Sequence, residues 1–324
     1  MASSAVDVTV VIPTRARWHL LAASALPAAL SQKGLGVEVL VVDDGSPAPA
    51  PPELAGLDDR RVRVLRHERP LGVARARNAG VEAALGEWVA FLDDDDLWSP
   101  RKLRTQLDAA AQCGAGFAYT AAVAVDDQRR PLLEFPLAPS DGLAVRLLRW
   151  NELHAGGSNV VVQTELLRRL GGFDEQLFQL ADWDLWIRLA LESPAAAVPE
   201  PLVGYTMHAG SMLLTDPRDV FPEFDHLVEK HRSAAERLGA APDARRFSRW
   251  VAQGQRRAGL RRQAAGTYLH GALRHRDAGA LPRAVAALLG ERAFRFGRSV
   301  TEHARSSPPA RAPDWLVGFP SPTV

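Results

Sequence analysis

The stretch Phe91-Leu92-Asp93-Asp94-Asp95-Asp96-Leu97-Trp98 sets four carboxylates side by side, directly after the apolar run Trp88 to Leu92. A short β-branched and aromatic run stopped by acids predicts a buried strand whose C-terminal end reaches the surface. Two unit charges about 4 Å apart repel by roughly 4 kcal/mol at an effective dielectric of about 20, so the run calls for a compensating cation. Oxygen ligands on a loop suit a hard divalent ion, Mg²⁺ or Mn²⁺, with bound phosphates completing its shell. A solvated acidic turn is the competing reading, and the position at the end of a buried strand weighs against it.

The chain before this point repeats one pattern. Val8 to Pro13 reads as a first buried strand, with Thr14, Arg15 and Arg17 at its exit and a helix expected from about Trp18 to Gln32. Val37 to Val42 reads as a second strand, ending in Asp43-Asp44-Gly45-Ser46. Val62 to Leu65 reads as a third, and Gly72 to Leu85 as a helix that Gly86 ends. Strands alternating with helices predict parallel βαβ units and a sheet covered on both faces. Ligands of such sheets sit beyond the carboxyl ends of the strands, where Thr14, Asp43, Asp44 and Asp93 to Asp96 all fall. Asp44-Gly45-Ser46 also suits a plain turn.

Two phosphate cradles are excluded. The first strand exits into Pro13-Thr14-Arg15-Ala16-Arg17, with no G-x-G-x-x-G, and no G-K-[ST] occurs. Any nucleotide is therefore held by side chains and a metal. The single cysteine, Cys113, excludes a disulfide framework and a cysteine metal cluster. No basic segment precedes an apolar stretch at the N-terminus, and no run approaches the roughly 18 apolar residues of a membrane span. The expected location is cytoplasmic. With 324 residues the chain has room for one large α/β domain plus an extension, or for two domains. Net charge is only +1, but the segment after Thr215 is basic and the one before it acidic. The basic segment suggests peripheral contact with an anionic membrane surface, against the alternative of solvated helix faces. No nucleic-acid partner is expected.

An ordered set of motifs resembles the family 2 glycosyltransferases with the GT-A fold. It comprises Val11 to Thr14, Val41 to Ser46, Ala76-Arg77-Asn78-Ala79-Gly80 and Phe91 to Pro100. It continues with Gly171-Gly172-Phe173-Asp174-Glu175, then Asp182-Trp183-Asp184-Leu185-Trp186-Ile187-Arg188, and ends in Pro201 to Tyr205 leading to His208. The resemblance implies a GT-A-type, Rossmann-like, mostly parallel sheet with helices on both faces, plus a C-terminal helical extension. It implies a glycosyltransferase domain over 1–215, with its nucleotide-sugar half in about 6–100 and its acceptor half in about 101–215. A basic helical extension over 216–305 and a Pro-rich tail over 306–324 follow, the tail ordered where Trp315, Leu316 and Phe319 dock.

The resemblance also implies chemistry: inverting transfer from a UDP-, GDP- or dTDP-sugar to a carbohydrate, lipid-linked or natural-product hydroxyl, dependent on Mn²⁺ or Mg²⁺. Pro13, Thr14 and Arg15 would line the nucleoside pocket, and Asp43 would hydrogen-bond the base. Asp93 and Asp95 form the D-x-D pattern, Asp94 facing the ribose or sugar and Asp95 ligating the metal. His208 would reach the metal or diphosphate. Arg75 and Arg77 could reach phosphate, or each could form a surface ion pair. Asp96 is read as a cap for the helix after Pro100.

Asp182 is the implied catalytic base. Family members often carry Glu before it, but Ala181 stands here. Burial beside Trp183 and Trp186 would raise its pKa and a helix N-terminus would lower it. Asp184 lies about 200° around the helix and is the next candidate. The competing reading of Asp182 is a plain helix cap. His154, beside Ala155-Gly156-Gly157, could be a ligand or an ordinary loop histidine. A sugar nucleotidyltransferase and a non-catalytic nucleotide-sugar binding module are the alternative functions.

Overall fold

The computed structural model describes residues 6–51, 59–207, 219–289 and 312–319. Strand β1 (Val8–Thr14) is buried along its whole length and lies between two parallel partners, β2 (Val37–Asp43) and β4 (Trp88–Phe91). A strand covered on both sides reads as a continuous β-branched run, which Val8-Thr9-Val10-Val11-Ile12 is. Strand β3 (Val62–Arg66) adds to β2, also in parallel. Beyond β4 the pairing changes. The three-residue β8 (Val161–Gln163) runs antiparallel to β4 and to β6 (Phe117–Val125). Its ladder to β4 holds Trp88 against Gln163, Val89 against Val162 and Ala90 against Val161. Strand β9 (Ala195–Thr206) is parallel to β6, whereas β5 (Leu97–Trp98) and β7 (Pro131–Phe135) pair antiparallel with β9 and β6.

The order is β3-β2-β1-β4-β8-β6-β9-β5, with β7 on β6. The expected mostly parallel sheet is therefore corrected to a mixed one. The first four strands obey the βαβ pattern. The hairpin turn Asp126–Arg130 and the short β8 need no crossover helix, and so reverse direction.

Helices cover both faces, as expected. Successive residues of β1 point oppositely, sending Val11 to one layer and Val8, Val10 and Ile12 to the other. The second layer contains α1 (Trp18–Ala23), α2 (Ala25–Leu30) and α4 (Lys102–Cys113). The single helix expected over Trp18 to Gln32 is thus two, broken at Ser24. The first layer contains α3 (Val73–Ala83), α5 (Leu143–Arg149), α6 (Thr164–Arg169) and α7 (Ala181–Glu192). Helix α3 lies so close to β1 that a Cβ on Gly80 would fall 2.3 Å from a Val11 methyl carbon.

The C-terminal helices α8 (Phe221–Lys230), α9 (Arg232–Arg237) and α10 (Ala244–Arg257) join the same layer through Phe224, Leu227, Ala234, Ala235 and Phe247. Phe224 and Phe247 stack at 4.0 Å, and Trp183 of α7 lies 6.0 Å from Phe224. Helices α11 (Arg261–Arg274) and α12 (Ala280–Leu289) form a small alanine-rich cluster around Tyr268 instead. The 3₁₀ turn Asp314–Gly318 docks Leu316 on Leu97, Val123 and Val125, and Trp315 donates from Nε1 to the Pro201 carbonyl at 2.9 Å.

Charge ties the C-terminal helices to α7. Asp184 is fully buried and receives Arg188 Nη2 at 2.7 Å, His231 Nε2 at 2.8 Å and Lys230 Nζ at 2.9 Å. Burial alone would raise its pKa, but His231, Arg188 and Lys230 hold the carboxyl well below the usual carboxylate range. A depressed folded-state pKa contributes stability above the unfolded pKa of about 4, and that stability is lost as pH falls through the folded value. We therefore expect Asp184→Asn to lower unfolding free energy at pH 7 by about 1–3 kcal/mol. Urea titrations at pH 7 and pH 3 check this, and the gap between variant and wild type should narrow at the lower pH.

Candidate functional site

The exits of β1 and β2 are pinned together by their own backbones. Asp44 N–H donates to the Thr14 carbonyl at 2.9 Å, and Ala16 N–H donates to Ser46 Oγ at 2.8 Å. Asp43, 1% exposed, receives Arg66 Nη1 at 2.5 Å and the Ser46 N–H at 2.9 Å. Asp44 accepts the N–H groups of Leu71 and Gly72, each at 2.8 Å, and so ties this turn to the start of α3. Pro13 and Thr14 are buried in β1, whereas Arg15 is exposed. The guanidinium that turns toward the acid loop is that of Arg17, to which the sequence reading assigned no role.

Each of the four adjacent carboxylates is met by groups from elsewhere in the chain. Asp93 accepts from Arg77 Nη2 at 2.7 Å. Asp94 accepts from Thr14 Oγ1 at 2.7 Å, and Arg17 Nη2 lies 3.1 Å from its other oxygen. Asp95 is ion-paired with Arg17, and its carbonyl accepts from Thr206 Oγ1 at 2.6 Å. Asp96 accepts from Ser158 Oγ at 2.6 Å and from the Thr206 N–H at 2.8 Å. Two guanidiniums thus supply the compensating charge that the sequence called for. Burial pushes the Asp94 carboxyl up to about 7, with Asp95 and Asp93 adding and Arg17 and Thr14 opposing. Burial also raises Asp96 well above the carboxylate range. The expected helix cap is corrected: Arg101 stands at the cap of α4 without a side-chain bond, and Asp96 instead joins β9 to the Ser158 loop.

Arg77 lies between this loop and α7. Its side chain is 5% exposed, with Nη2 on Asp93 at 2.7 Å and Nη1 on Asp182 at 2.5 Å. Its Cζ sits 5.1 Å from the centre of the Phe173 ring. The neighbouring Asn78 fixes that ring, donating to the Phe173 carbonyl at 3.0 Å and accepting its N–H at 2.8 Å. Small residues close the other side. A Cβ on Gly157 would fall 2.8 Å from Arg77 Nη2, and one on Gly156, whose φ is +48°, would fall 2.8 Å from Asp182 Oδ2. Burial raises the Asp182 pKa, Arg77 opposes it, and Asp93 adds to the rise. Such a carboxylate takes up a proton more readily than an exposed aspartate.

Three further candidates are Arg75, His154 and His208. Arg75 forms the surface ion pair, with Glu175 at 2.9 Å. His154 stacks on Phe135 at 4.8 Å, and burial lowers its pKa. His208 lies outside the described residues.

Comparison with known proteins follows the same motifs. Glycosyl transferase family 2 matches residues 9–171, and a second match, to Glycosyltransferase like family 2, spans residues 134–240. The chain belongs to glycosyl transferase family 2. Its match to the succinoglycan biosynthesis protein ExoO of Rhizobium meliloti is 45% identical over 94 residues, 29% of this chain and 27% of that protein. The match to WfgD of Escherichia coli, a UDP-Glc:alpha-D-GlcNAc-diphosphoundecaprenol beta-1,3-glucosyltransferase, is 32% identical over 35% of this chain and 44% of that one. The chain thus spans less than half the length of either relative. The fold is shared with S. aureus TarS, residues 1–349 in complex with UDP-GlcNAc, at a TM-score of 0.54 and 16% identity, covering 90% of this chain and 74% of that one.

The family implies a divalent metal, and the donor set can be tested for it. Among the described residues no three His, Cys, Asp or Glu side chains converge as a metal cage. A Mg²⁺-type ion needs only one or two carboxylates when diphosphate and water complete its shell. Asp93, 31% exposed, and Asp95, 13% exposed, fit that two-carboxylate arrangement. Arg17 now shares Asp95.

Proposed function

We propose that this family 2 protein transfers a sugar from a nucleoside-diphosphate donor to an acceptor hydroxyl with inversion at the anomeric carbon, with Asp182 as general base. The observation that carries the reading is the Arg77 bridge, which sets Asp93 of the acid loop and Asp182 at the two ends of one guanidinium. The donor diphosphate then lies at Asp93 and Asp95, and the reacting sugar faces Asp182. The nucleoside occupies the turns after β1 and β2, against Pro13, Thr14, Arg15 and Asp43, with Asp94 toward the ribose or sugar. The names of WfgD and TarS favour a uridine nucleotide, and that of WfgD favours a lipid-linked acceptor.

In this mechanism the acceptor oxygen attacks the anomeric carbon from the face opposite the diphosphate. Its proton passes to the Asp182 carboxylate, the bond from the anomeric carbon to the diphosphate oxygen breaks, and the nucleoside diphosphate departs. The raised pKa of Asp182 suits proton uptake, and general-base catalysis of this kind contributes about 10²- to 10⁴-fold. Asp95 and Asp93, with His208 as a further ligand, would hold Mn²⁺ or Mg²⁺. The bound ion supplies positive charge to the leaving diphosphate.

Asp182→Asn keeps the shape of the side chain and removes the base. We expect turnover to fall at least about a hundredfold with donor affinity within a few-fold of wild type, measured by steady-state transfer beside donor titration. Near-normal turnover would move the base elsewhere.

For the metal, EDTA should abolish transfer and Mn²⁺ or Mg²⁺ should restore it. Full activity in chelator would instead leave Arg17, already paired with Asp94 and Asp95, and Arg77, paired with Asp93, as the cations of the site.

We also propose peripheral contact with anionic lipid through the last helices. Between Ala244 and Leu289 the chain carries ten arginines and one acid, Asp277. Leu269 and Leu273 of α11 and Leu281, Val285 and Leu288 of α12 are exposed. Among the described residues no helix is long and apolar enough to cross a membrane. Co-sedimentation with phosphatidylglycerol vesicles should be strong in low salt and weaken as salt rises, since each surface arginine contributes about 1 kcal/mol. Salt-independent absence of binding would reduce these faces to a solvated cover.

A further inference from the structure

Helix α8 grips the polypeptide on both sides of Asp182 without touching it. At the start of α8, one oxygen of Glu223, Oε2, accepts three consecutive backbone N–H groups: Phe178 at 2.9 Å, Gln179 at 2.8 Å and Leu180 at 3.1 Å. Helix α7 begins at the next residue, Ala181, and Asp182 follows. Leu180 stands at the cap position of α7, and no side chain of its own caps the helix. The carboxylate that organises this helix start therefore comes from a residue more than forty positions away.

At the far end of α8, Lys230 and the adjoining His231 bind Asp184, two residues past Asp182, and Lys230 also reaches Asp174 at 2.6 Å. Between the two grips, Phe224 packs against Trp183. Residues 178–180, 183 and 184 are thus all fixed from α8 and His231 after it, and they enclose Ala181 and Asp182.

A carboxylate receiving several backbone N–H groups forms charge-assisted bonds, which are shorter and about twice as strong as neutral ones. Its effect here is geometric. The backbone of residues 178–180 sets where α7 starts and how its first turn is rotated. Asp182 must reach Arg77 Nη1 from that turn, beside Gly156, where a Cβ would have no room. A small rotation of the turn would move the carboxylate out of reach of a reacting hydroxyl.

We infer that Glu223 is a positioning residue for the base: it acts on the reaction only through Asp182, by fixing the turn that presents it. The inference rests on the reading of Asp182 as the base, and a double-mutant cycle separates the two. The full chain is assayed as wild type, Glu223→Gln, Asp182→Asn and the double variant, with kcat, donor KM and thermal unfolding followed for each.

Glu223→Gln should lower kcat about tenfold or more with donor KM within about twofold, because misplacing a catalytic group by about 1 Å costs on that order. In the Asp182→Asn background the same change should add less than about twofold. Glu223→Asp keeps the charge but shortens its reach, and should fall between wild type and Glu223→Gln. It replaces Glu223→Gln in the cycle should that variant not fold. Asp225→Asn, an exposed position on the same helix, should leave kcat unchanged. Equal losses in both backgrounds, or parallel changes in kcat and donor KM, overturn the inference and leave the base assignment standing. Wild-type turnover in Asp182→Asn overturns the base assignment, and the inference with it.

Discussion

The buried guanidinium of Arg77 is the contact on which the site depends. A charge held at 4% exposure is costly unless it is paired, and here two carboxylates from distant segments pair with it. Burial works against its charge, but Asp182 and Asp93 outweigh that and keep Arg77 protonated. The arrangement works in both directions. Asp93 and Asp182 can be brought together because Arg77 lies between them, and Arg77 can be buried because both acids are there. Phe173 lies against the guanidinium, and Gly156 and Gly157 leave the space that the three charged groups occupy.

Much of this centre was legible in the sequence, because strand tips are a local signal. An apolar run that stops at Asp43 or Asp93 reports both the strand and the end at which ligands collect. The partners were not legible. Arg77 and Asp182 are 105 residues apart, and Thr14 and Asp94 are 80 apart, so no local pattern links them. Arg17 followed Arg15 in the same exit loop, and nothing in the sequence distinguished the exposed guanidinium from the one that meets Asp94 and Asp95. Asp96 looked like a cap because helix α4 begins a few residues later. Its real partners, Ser158 and Thr206, come from loops whose approach depends on the antiparallel half of the sheet. Within that half the hairpin of β6 and β7 is legible from the turn signal at Asp126 to Pro131, whereas β8 escaped because it is three residues long and carries no hairpin signal of its own.

From Pro217 onward the motifs legible in the sequence stop, yet the family match extends to residue 240 and the chain goes on contributing to the same core. Residues that read as the start of a basic extension include Glu223, Lys230 and His231, each bonded to the segment between Asp174 and Asp184. The basic character that sets the C-terminal part apart in the sequence belongs mainly to α10, α11 and α12. Helix α8 carries both charge signs and binds the segment before and within α7 through Glu223 and Lys230. Composition averages over these two behaviours, and only the contacts separate them.

The short ladder between β4 and β8 also bears on how such a chain can diversify. Within the one sheet, β3, β2, β1 and β4 make a continuous parallel part, and β6, β9, β5 and β7 make the other part. Three register pairs on one side of β8, and two on the other, join them. A splice at so short a ladder breaks few strand-to-strand bonds, although the cores on both faces run across it. Substituted or inserted segments beyond it can reshape the second part while the turns after β1 and β2 keep their register. Variation can thus collect beyond β8 while the parallel part of the sheet stays as it is.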